Sequence, residues 1–459
     1  MFIIVAIGSI LTFLAPITGP ILMQATSSYG VRLGSFLSVT GYLLPPLTCM
    51  GMVSPLITQL INLKREDAGK SAGTVFSIST LGGILATFLA GFYLIPELGI
   101  RLTAYSTSLV LAIIALYGLL TRRQIVIPVI LIVFMFIGFP KKAIKTSSQD
   151  LKILYQSSGI LGEWTVFDKV EQQENGALPT FRRLLLNGIE QTFTQVGYEP
   201  YATWSYPHKI AALAGIKPAG SKALLLGMGG GSISSNLLNL GFDLDIVDLD
   251  QRVKYISETY FKYDATKSNL IFDDARHYIN QSKEKYDVVI FDLLNGEVQP
   301  SHVFTREGFM ALKKILNDDA LLIINFQGRF GMKEPALSLG PRSIFKTLEA
   351  CNYKMLFCEK VSEGRSMDGD ILFYGTNGNL DCKKLLQEPL RYSKIDSLEE
   401  FTYADYSPTF KFSLNDAFVL VDNKPKLELM NVTTILDWRT NQMGVQEDLF
   451  LKKGLPLFH

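Results

Sequence analysis

The residues best suited to chemistry are the glycines of one short loop. Residues 224–226 form an apolar run, and the next five residues read Gly-Met-Gly-Gly-Gly before a group of serines. Gly227, Gly229 and Gly231 allow a tight turn and a close approach of a ligand to the backbone. A glycine loop that feeds the first turn of a helix is a good place for a nucleotide. The loop therefore predicts a nucleotide site lined by these glycines.

Two acids lie about twenty residues beyond the glycines, at the end of the next apolar run. A Rossmann-type domain places a carboxylate at this position on the ribose hydroxyls of its ligand. Asp248 and Asp250 are therefore candidate ribose ligands. The alternative is that both are solvated loop residues.

Two further acids follow apolar runs. Asp274 comes after residues 269–272, and Asp292 ends the run 286–292. Either acid could serve only as a helix N-cap, a position that Asp favours. The alternative is that both belong to an active site.

The glycine loop and these acids fit a regular alternation of strands and helices. Five apolar runs predict strands: 223–226, 243–247, 269–272, 286–292 and 320–325. Strands separated by helices indicate a parallel, doubly wound sheet, with later strands at 356–361 and 370–374. A ligand binds such a sheet across the C-terminal strand ends, where the loop, Asp248, Asp274 and Asp292 all fall. Before this core, residues 162–188 predict a β-hairpin.

The first 140 residues predict a membrane domain. Mean hydropathy is +0.21 and the apolar residues are concentrated in this part. Crossing a bilayer takes roughly 20 apolar residues, and about five segments qualify: 2–23, 33–61, 72–95, 102–120 and the shorter 125–139. None contains an obvious acid or base, which favours an anchor or a binding platform in the lipid bilayer over an autonomous transporter.

Basic residues give conflicting indications about orientation. With five spans, the basic loops near residues 64–70 and 122–123 would be cytoplasmic and the C-terminal half would lie outside. Lys141, Lys142 and Lys145 instead favour placing the C-terminal half inside. Because a nucleotide-using domain also suits the cytoplasm, we expect a multi-pass protein with its active domain there.

Composition argues against two other classes of site. The net charge is +1, so electrostatics offer no case for binding nucleic acid. The four cysteines lie at 49, 351, 358 and 382 with no Cys/His cluster, so we expect no metal site.

The soluble half resembles spermidine synthase, an aminopropyltransferase with a methyltransferase-type Rossmann core, over residues 153–327. The whole chain resembles bacterial membrane proteins that fuse major-facilitator-like spans, here 47–55 and 71–83, to such a domain. The implied fold is an α-helical membrane bundle followed by an α/β domain. The expected domains are a transmembrane domain at 1–140, a Rossmann domain at 147–380 (hairpin region 147–205, core 206–380) and a C-terminal extension at 381–459.

The resemblance implies roles for several residues. Leu186-Asn-Gly-Ile-Glu-Gln191 matches a motif whose glutamine contacts the nucleoside, and Tyr206 matches a tyrosine of the amine pocket. Residues Gly227 to Gly231 would form the nucleotide-binding glycine loop, and Asp248 would bind the ribose. Asp274 and Ala275 would recognise the adenine, and Asp292 would be the catalytic base. The cosubstrate would be decarboxylated S-adenosylmethionine or S-adenosylmethionine, with no tightly bound cofactor, and the enzyme would be a homo-oligomer.

The chain departs from the family pattern at the amine end of the site. The loop acid that holds the aminopropyl ammonium is replaced by Gly231-Ser232, and Asp-Ser-Ser-Asp-Pro becomes Asp292-Leu-Leu-Asn-Gly296. A polycationic substrate needs carboxylates to replace its lost water. Asp292 is kept and could still deprotonate an attacking amine. Aminopropyl transfer to a small, polyamine-like amine is therefore still the first hypothesis. A methyltransferase, or a non-catalytic domain that senses nucleosides or polyamines, is the alternative.

Overall fold

A computed structural model describes residues 1–62, 68–124, 150–173, 176–294, 299–329, 338–360, 368–378, 391–392, 414–453 and 455. The chain divides into two compact units. The first comprises Met1–Thr165 together with Thr440–His459, and the second comprises Val166–Arg439.

The first unit is mainly helical. Its long helices are α1 (Phe2–Thr26), α2 (Gly30–Gly51), α3 (Val53–Asn62), α4 (Ala68–Leu89) and α5 (Ile95–Leu120). Ser9 on α1 and Ser108 on α5 each donate a hydroxyl hydrogen bond to the carbonyl oxygen of the other, at 2.9 and 2.8 Å. Small side chains at this crossing let the two backbones approach closely. Four of the predicted spans fall on these helices, whereas 125–139 lies outside the described residues.

Two continuous helical stretches in this unit, Phe2–Ile61 and Gly69–Leu120, are long and apolar enough to cross a membrane, judged by length and composition. Helix α4 exposes apolar side chains over more than half of its circumference, whereas Val75 is buried. The exposed side chains are Phe76, Ile78, Leu81, Ile84, Leu85 and Phe88. An apolar surface of this extent is unusual on a protein surrounded by water. The bundle of about five spans stays a prediction.

The second unit contains a seven-stranded sheet. Its strands are β5 (Lys222–Leu226), β6 (Asp243–Asp248), β7 (Asn269–Phe272), β8 (Tyr286–Phe291), β9 (Leu316–Arg329), β10 (Lys354–Lys360) and β11 (Asp368–Thr376), in the spatial order β10-β11-β9-β8-β5-β6-β7. Strands β5 to β9 are parallel. Strand β5 lies between β6 and β8, and the chain order of the strands reverses direction across the sheet at β5. The predicted switch point at the glycine loop is thus confirmed.

The two late strands, for which the sequence predicted no direction, make one edge of the sheet antiparallel. Strand β11 pairs with β9 in the antiparallel direction, and β10 pairs with β11 in the same way. The chain reaches the edge strand β10 first and then folds back as β11 between β10 and β9. The result is a mixed, Rossmann-like sheet of the methyltransferase type.

Helices lie between successive strands: α6 (Tyr206–Ala214), α7 (Ser232–Asn239), α8 (Arg252–Phe261), α9 (Ala275–Gln281), α10 (Arg306–Lys313) and α11 (Leu339–Ala350). A further helix, α12 (Leu427–Gln446), follows the last strand. Residues 223–226 of β5 are completely buried, because a central parallel strand is covered on both faces. The rings of Phe291, Phe304, Phe326 and Phe373 fill one side of the core. Burial of each such side chain contributes about 1.5–3 kcal/mol.

The predicted hairpin belongs to a smaller sheet. Strands β1 (Leu151–Gly159), β2 (Gly162–Val170), β3 (Thr180–Leu186) and β4 (Ile189–Gln195) pair in chain order. The boundary between the two units falls within β2. Strand β4 carries Gln191 and Thr192, and so brings the small sheet to the site.

Candidate active site

The glycine loop crosses directly over the end of β8. Gly227, Gly229 and Gly231 have φ angles of +90°, +53° and +87°, which favour glycine because a Cβ atom is disfavoured there. A Cβ on Gly227 would also clash with the backbone carbonyl of Asp292. The loop can therefore lie against the β8 end only because position 227 lacks a side chain.

Asp248 fastens this loop to the end of β6. One carboxylate oxygen accepts the N–H of Met228 and the other accepts the N–H of Asp250, both at 2.9 Å. Burial raises the pKa of Asp248 to about 6, although these hydrogen bonds lower it. Each oxygen keeps a second lone pair, so ribose binding by Asp248 stays a prediction.

Asp250 is engaged elsewhere. Its carboxylate accepts the backbone N–H of Arg252 at 3.0 Å and pairs with the guanidinium of the same residue, at 2.6 Å from Nη2. This interaction ties Asp250 to the start of α8. The structure thus places Asp248, rather than Asp250, against the glycine loop, and a ribose role for Asp250 remains untested.

Asp274 and Ala275 form the start of α9. Asp274 accepts the N–H of His277 at 2.9 Å, so it is the helix N-cap, and its other oxygen lies 3.0 Å from Nε2 of His302. Burial alone would raise its pKa, but these hydrogen bonds and His302 together lower it. An adenine contact stays a prediction, and His302 already occupies one face of this carboxylate.

A small cleft brings four of the predicted site residues together. They are Gln191, Tyr206, Gly229 and Asp292. The other lining residues are Thr192, Ala202, Trp204, Pro207, Met228, Ser232 and Ile233. The cleft therefore runs from the glycine loop to the C-terminal end of β8.

Asp292 provides the carboxylate at the cleft. Its Oδ1 accepts a 2.8 Å hydrogen bond from Nδ2 of Asn325 on the neighbouring strand β9. Burial raises the pKa of Asp292 to about 6, against the effect of this hydrogen bond. A carboxylate with such a pKa is mostly ionised at neutral pH, yet basic enough to accept a proton from a reacting group.

A second acid, Asp370 on β11, was not predicted as a site residue. Burial and, to a smaller extent, the negative charge of Asp292 raise its pKa to about 7, although hydrogen bonds with Asn325 and Gln327 lower it. Burial and the charges of Asp292 and Asp370 together raise the pKa of Tyr206. One acid in an otherwise apolar strand, Asp370-Ile-Leu-Phe, was the available signal. Its position could not be recognised without knowing that β11 runs antiparallel beside β9.

His208 lies at the start of α6, two residues after Tyr206. Its Nδ1 lies 2.6 Å from the hydroxyl of Tyr392, and its Nε2 lies 2.8 Å from the carbonyl of Ala202. Both ring nitrogens are therefore held by protein groups, as in a structural histidine. Among the described residues, no group of three or more His, Cys, Asp and Glu side chains could hold a metal ion.

Comparisons with known proteins agree with the motifs of the cleft. Residues 204–336 match the spermine/spermidine synthase domain. Polyamine aminopropyltransferase of Vibrio vulnificus is 35% identical over 128 residues, which are 26% of this chain and 43% of that protein. N-terminal histidine N-methyltransferase of Emericella nidulans is 33% identical over 135 residues, which are 28% of this chain and 24% of that protein. The structure of a probable spermidine synthase from Corynebacterium glutamicum aligns with a TM-score of 0.43 at 16% identity, over 59% of this chain and 96% of that chain.

The resemblance to spermidine synthase is thus confirmed for the region that contains Tyr206, the glycine loop and Asp292. The chain spans less than half the length of the two curated relatives. Both relatives are transferases by name.

Proposed function

We propose that the second unit is a transferase that binds an S-adenosyl sulfonium nucleoside and passes its aminopropyl group to an amine. The observation that carries this proposal is the position of Asp292, which lies in one cleft with Gln191, Gly229 and Tyr206. We call Gln191 and the glycine loop, with Asp248 that holds the loop through Met228, the nucleoside end of the cleft. We call Tyr206 and Asp292, which line the cleft, together with their neighbours Asn325 and Asp370, its amine end.

The proposed reaction is a displacement at carbon. The lone pair of the amine nitrogen forms a bond to the sulfonium-bound carbon while the C–S bond breaks, and its electrons stay on sulfur in the departing methylthioadenosine. An amine arrives as an ammonium ion and must first lose a proton, which Asp292 can accept. The remaining contribution is positioning, because holding two reactants in line removes much of the entropic barrier.

A methyltransferase is the second candidate, favoured by the glycine loop. The Oγ of Ser232 is buried and has no hydrogen-bond partner among the described residues, and no acid stands at Gly231-Ser232 to hold an aminopropyl ammonium. The amino-acid part of S-adenosylmethionine carries both charges and has less need of a carboxylate there. One of the two relatives is a methyltransferase by name.

The helices of the first unit would anchor the enzyme in a lipid bilayer as a multi-pass protein, with the cleft on the cytoplasmic side. The two long apolar stretches support this proposal by length and composition. Protease treatment of intact spheroplasts tests the orientation. Protection of the second unit is expected, and its digestion from outside would contradict the cytoplasmic placement.

The two chemistries are separated by ligand preference and product mass. The full-length protein in detergent is heated with S-adenosylmethionine, its decarboxylated form or methylthioadenosine, because a ligand that binds only the folded state raises the melting temperature. The proposal predicts stronger stabilisation by the decarboxylated form and an amine product heavier by one aminopropyl group. Preference for S-adenosylmethionine with a methylated product would establish the second candidate. Stabilisation without any product would indicate a sensor.

A further inference from the structure

We infer that Asp370 and Asp292 form a two-carboxyl seat for the acceptor, which enters as the ammonium form of a primary amine. This inference rests on the proposed function. Asp370 would supply the carboxylate that is missing from the glycine loop and from the segment after Asp292. It makes Asp370 a binding residue contributed by the antiparallel strand β11.

Strand register places the two acids around one amide. Phe291 of β8 is opposite Ile324 of β9, so Asp292 and Asn325 follow as neighbours. Strand β11 has Asp370 opposite Gln327. Side chains two residues apart on a strand share a face, and so do cross-strand partners. Asn325, Gln327 and Asp370 therefore lie on one face of the sheet, next to Asp292.

Asn325 carries an unused acceptor at this position. The residue is only 1% exposed, and its Nδ2 donates to Asp292. Its Oδ1 is buried and has no hydrogen-bond partner among the described residues. Buried polar atoms are nearly always paired in folded proteins. The N–H group of an ammonium ion held between the carboxyl groups would supply the missing donor.

The charge around the pair is negative. The groups that contact the two acids from β9, Asn325 and Gln327, are neutral, and Tyr206 of α6 is the titratable group facing them. No ion pair joins Asp292 or Asp370 to a basic side chain in the part of the chain that the structure describes. Two like charges so placed cannot both ionise easily. A bound cation would relieve the repulsion between the ionised carboxylates, and the acceptor ammonium has the right charge.

The pair also balances the protons of the reaction. Because burial raises the pKa values of Asp292 and Asp370 to about 6 and 7, the empty pair binds about one proton near pH 6.5, and this proton leaves to solvent when the ammonium ion binds. One carboxylate then takes a proton from the ammonium, and the neutral amine attacks the sulfonium-bound carbon. The product nitrogen becomes a secondary ammonium, sulfur leaves as a neutral thioether, and the pair returns to its one-proton state.

The test measures amine binding on the full-length protein saturated with methylthioadenosine, with putrescine as the probe in titration calorimetry. Asp370→Asn keeps the side-chain shape and removes the charge, and we expect about 30-fold weaker binding or more because a charge-assisted contact is lost. Asp370→Glu should remain within about fivefold of the natural protein, as expected for a retained carboxylate. Asp245→Asn is the matched control, since Asp245 is buried in the same sheet but bonded to Tyr286 and Asn269.

A second readout needs no variant. Putrescine binding to the natural protein near pH 6.5, measured in two buffers with different ionisation enthalpies, should release protons, because a bound cation favours the ionised pair. Unchanged affinity in Asp370→Asn, or binding without proton release, would overturn the inference. Nucleoside binding would still support the proposed function in that case. Failure of every nucleoside to stabilise the natural protein would instead remove the proposed function itself.

Discussion

Apart from Gln191 of the smaller sheet, the nucleoside end of the cleft is assembled from one continuous stretch of the chain, whereas the amine end is assembled from distant residues. The glycine loop and Asp248 belong to one strand–loop–helix–strand unit, and a single hydrogen bond from Met228 joins them. Tyr206 lies on a helix, Asn325 and Asp370 lie on two different strands, and Asp292 follows the end of a third. The nucleoside end therefore depends on local backbone geometry, while the amine end depends on strand order. Each end should respond to its own substitutions.

The largest expected effect is on turnover, through Asp292→Asn. The new amide can still accept the hydrogen bond from Asn325, so the geometry is kept, but it cannot accept the proton of the amine. We expect turnover to fall by about 10²–10⁴, with methylthioadenosine affinity unchanged. Steady-state assays and thermal shifts on the same preparation measure the two effects. Equal losses of turnover and of nucleoside binding would show that the two ends do not separate.

Gly227→Ala should damage both ends, because the loop and the Asp292 backbone touch at this residue. A positive φ costs on the order of 1–3 kcal/mol for a residue with a side chain, and the added Cβ also meets the Asp292 carbonyl. We expect a lower melting temperature and weaker binding of both methylthioadenosine and putrescine. Gly220→Ala is the control, since Gly220 has a similar φ of +84° but no neighbour near its Cβ position. Similar losses in the two variants would mean that the close approach is unimportant.

The contrast between the ends explains what the sequence could predict. Strand β7 was predicted with its observed limits, and β5 and β6 within one residue, because short apolar runs bounded by polar residues fix them locally. The role of Asp370 and the reversed direction of β11 depend on pairing with β9, which no local pattern encodes. The long strand β9 was predicted only as 320–325. The pairing of Asp250 with Arg252 and the helix α12 in the polar C-terminal part were also not predicted.

Asp248→Asn should affect the nucleoside end alone. The charge that accepts the N–H groups of Met228 and Asp250 is lost, and the loop is held less firmly. We expect methylthioadenosine to bind about tenfold more weakly, as for one charge-assisted hydrogen bond, with putrescine affinity preserved. Asp250→Asn should change nucleoside binding less, because Asp250 faces Arg252. A larger effect of Asp250→Asn would instead make Asp250 the main ribose ligand.

The smallest expected effect is the pH dependence of stability. The pKa values of Asp248, Asp292 and Asp370 are raised to about 6, 6 and 7 in the folded chain, against about 3.9 when unfolded. The folded state therefore binds more protons, and its stability falls as pH rises between these values. We expect the melting temperature of the ligand-free protein to drop by roughly 5 °C between pH 5 and 7.5. Asp370→Asn should reduce this drop, and an unchanged pH profile in that variant would contradict the raised pKa.

The most direct test of the central claim is a single-turnover experiment. Full-length protein in excess over decarboxylated S-adenosylmethionine is mixed with putrescine, and methylthioadenosine is followed by quenched-flow chromatography. We predict that methylthioadenosine forms only when an amine is present, together with an equal amount of aminopropylated amine, and that Asp292→Asn slows its formation at least about 100-fold. Formation of methylthioadenosine without an amine, or its absence although the nucleoside is bound, would contradict aminopropyl transfer at this cleft.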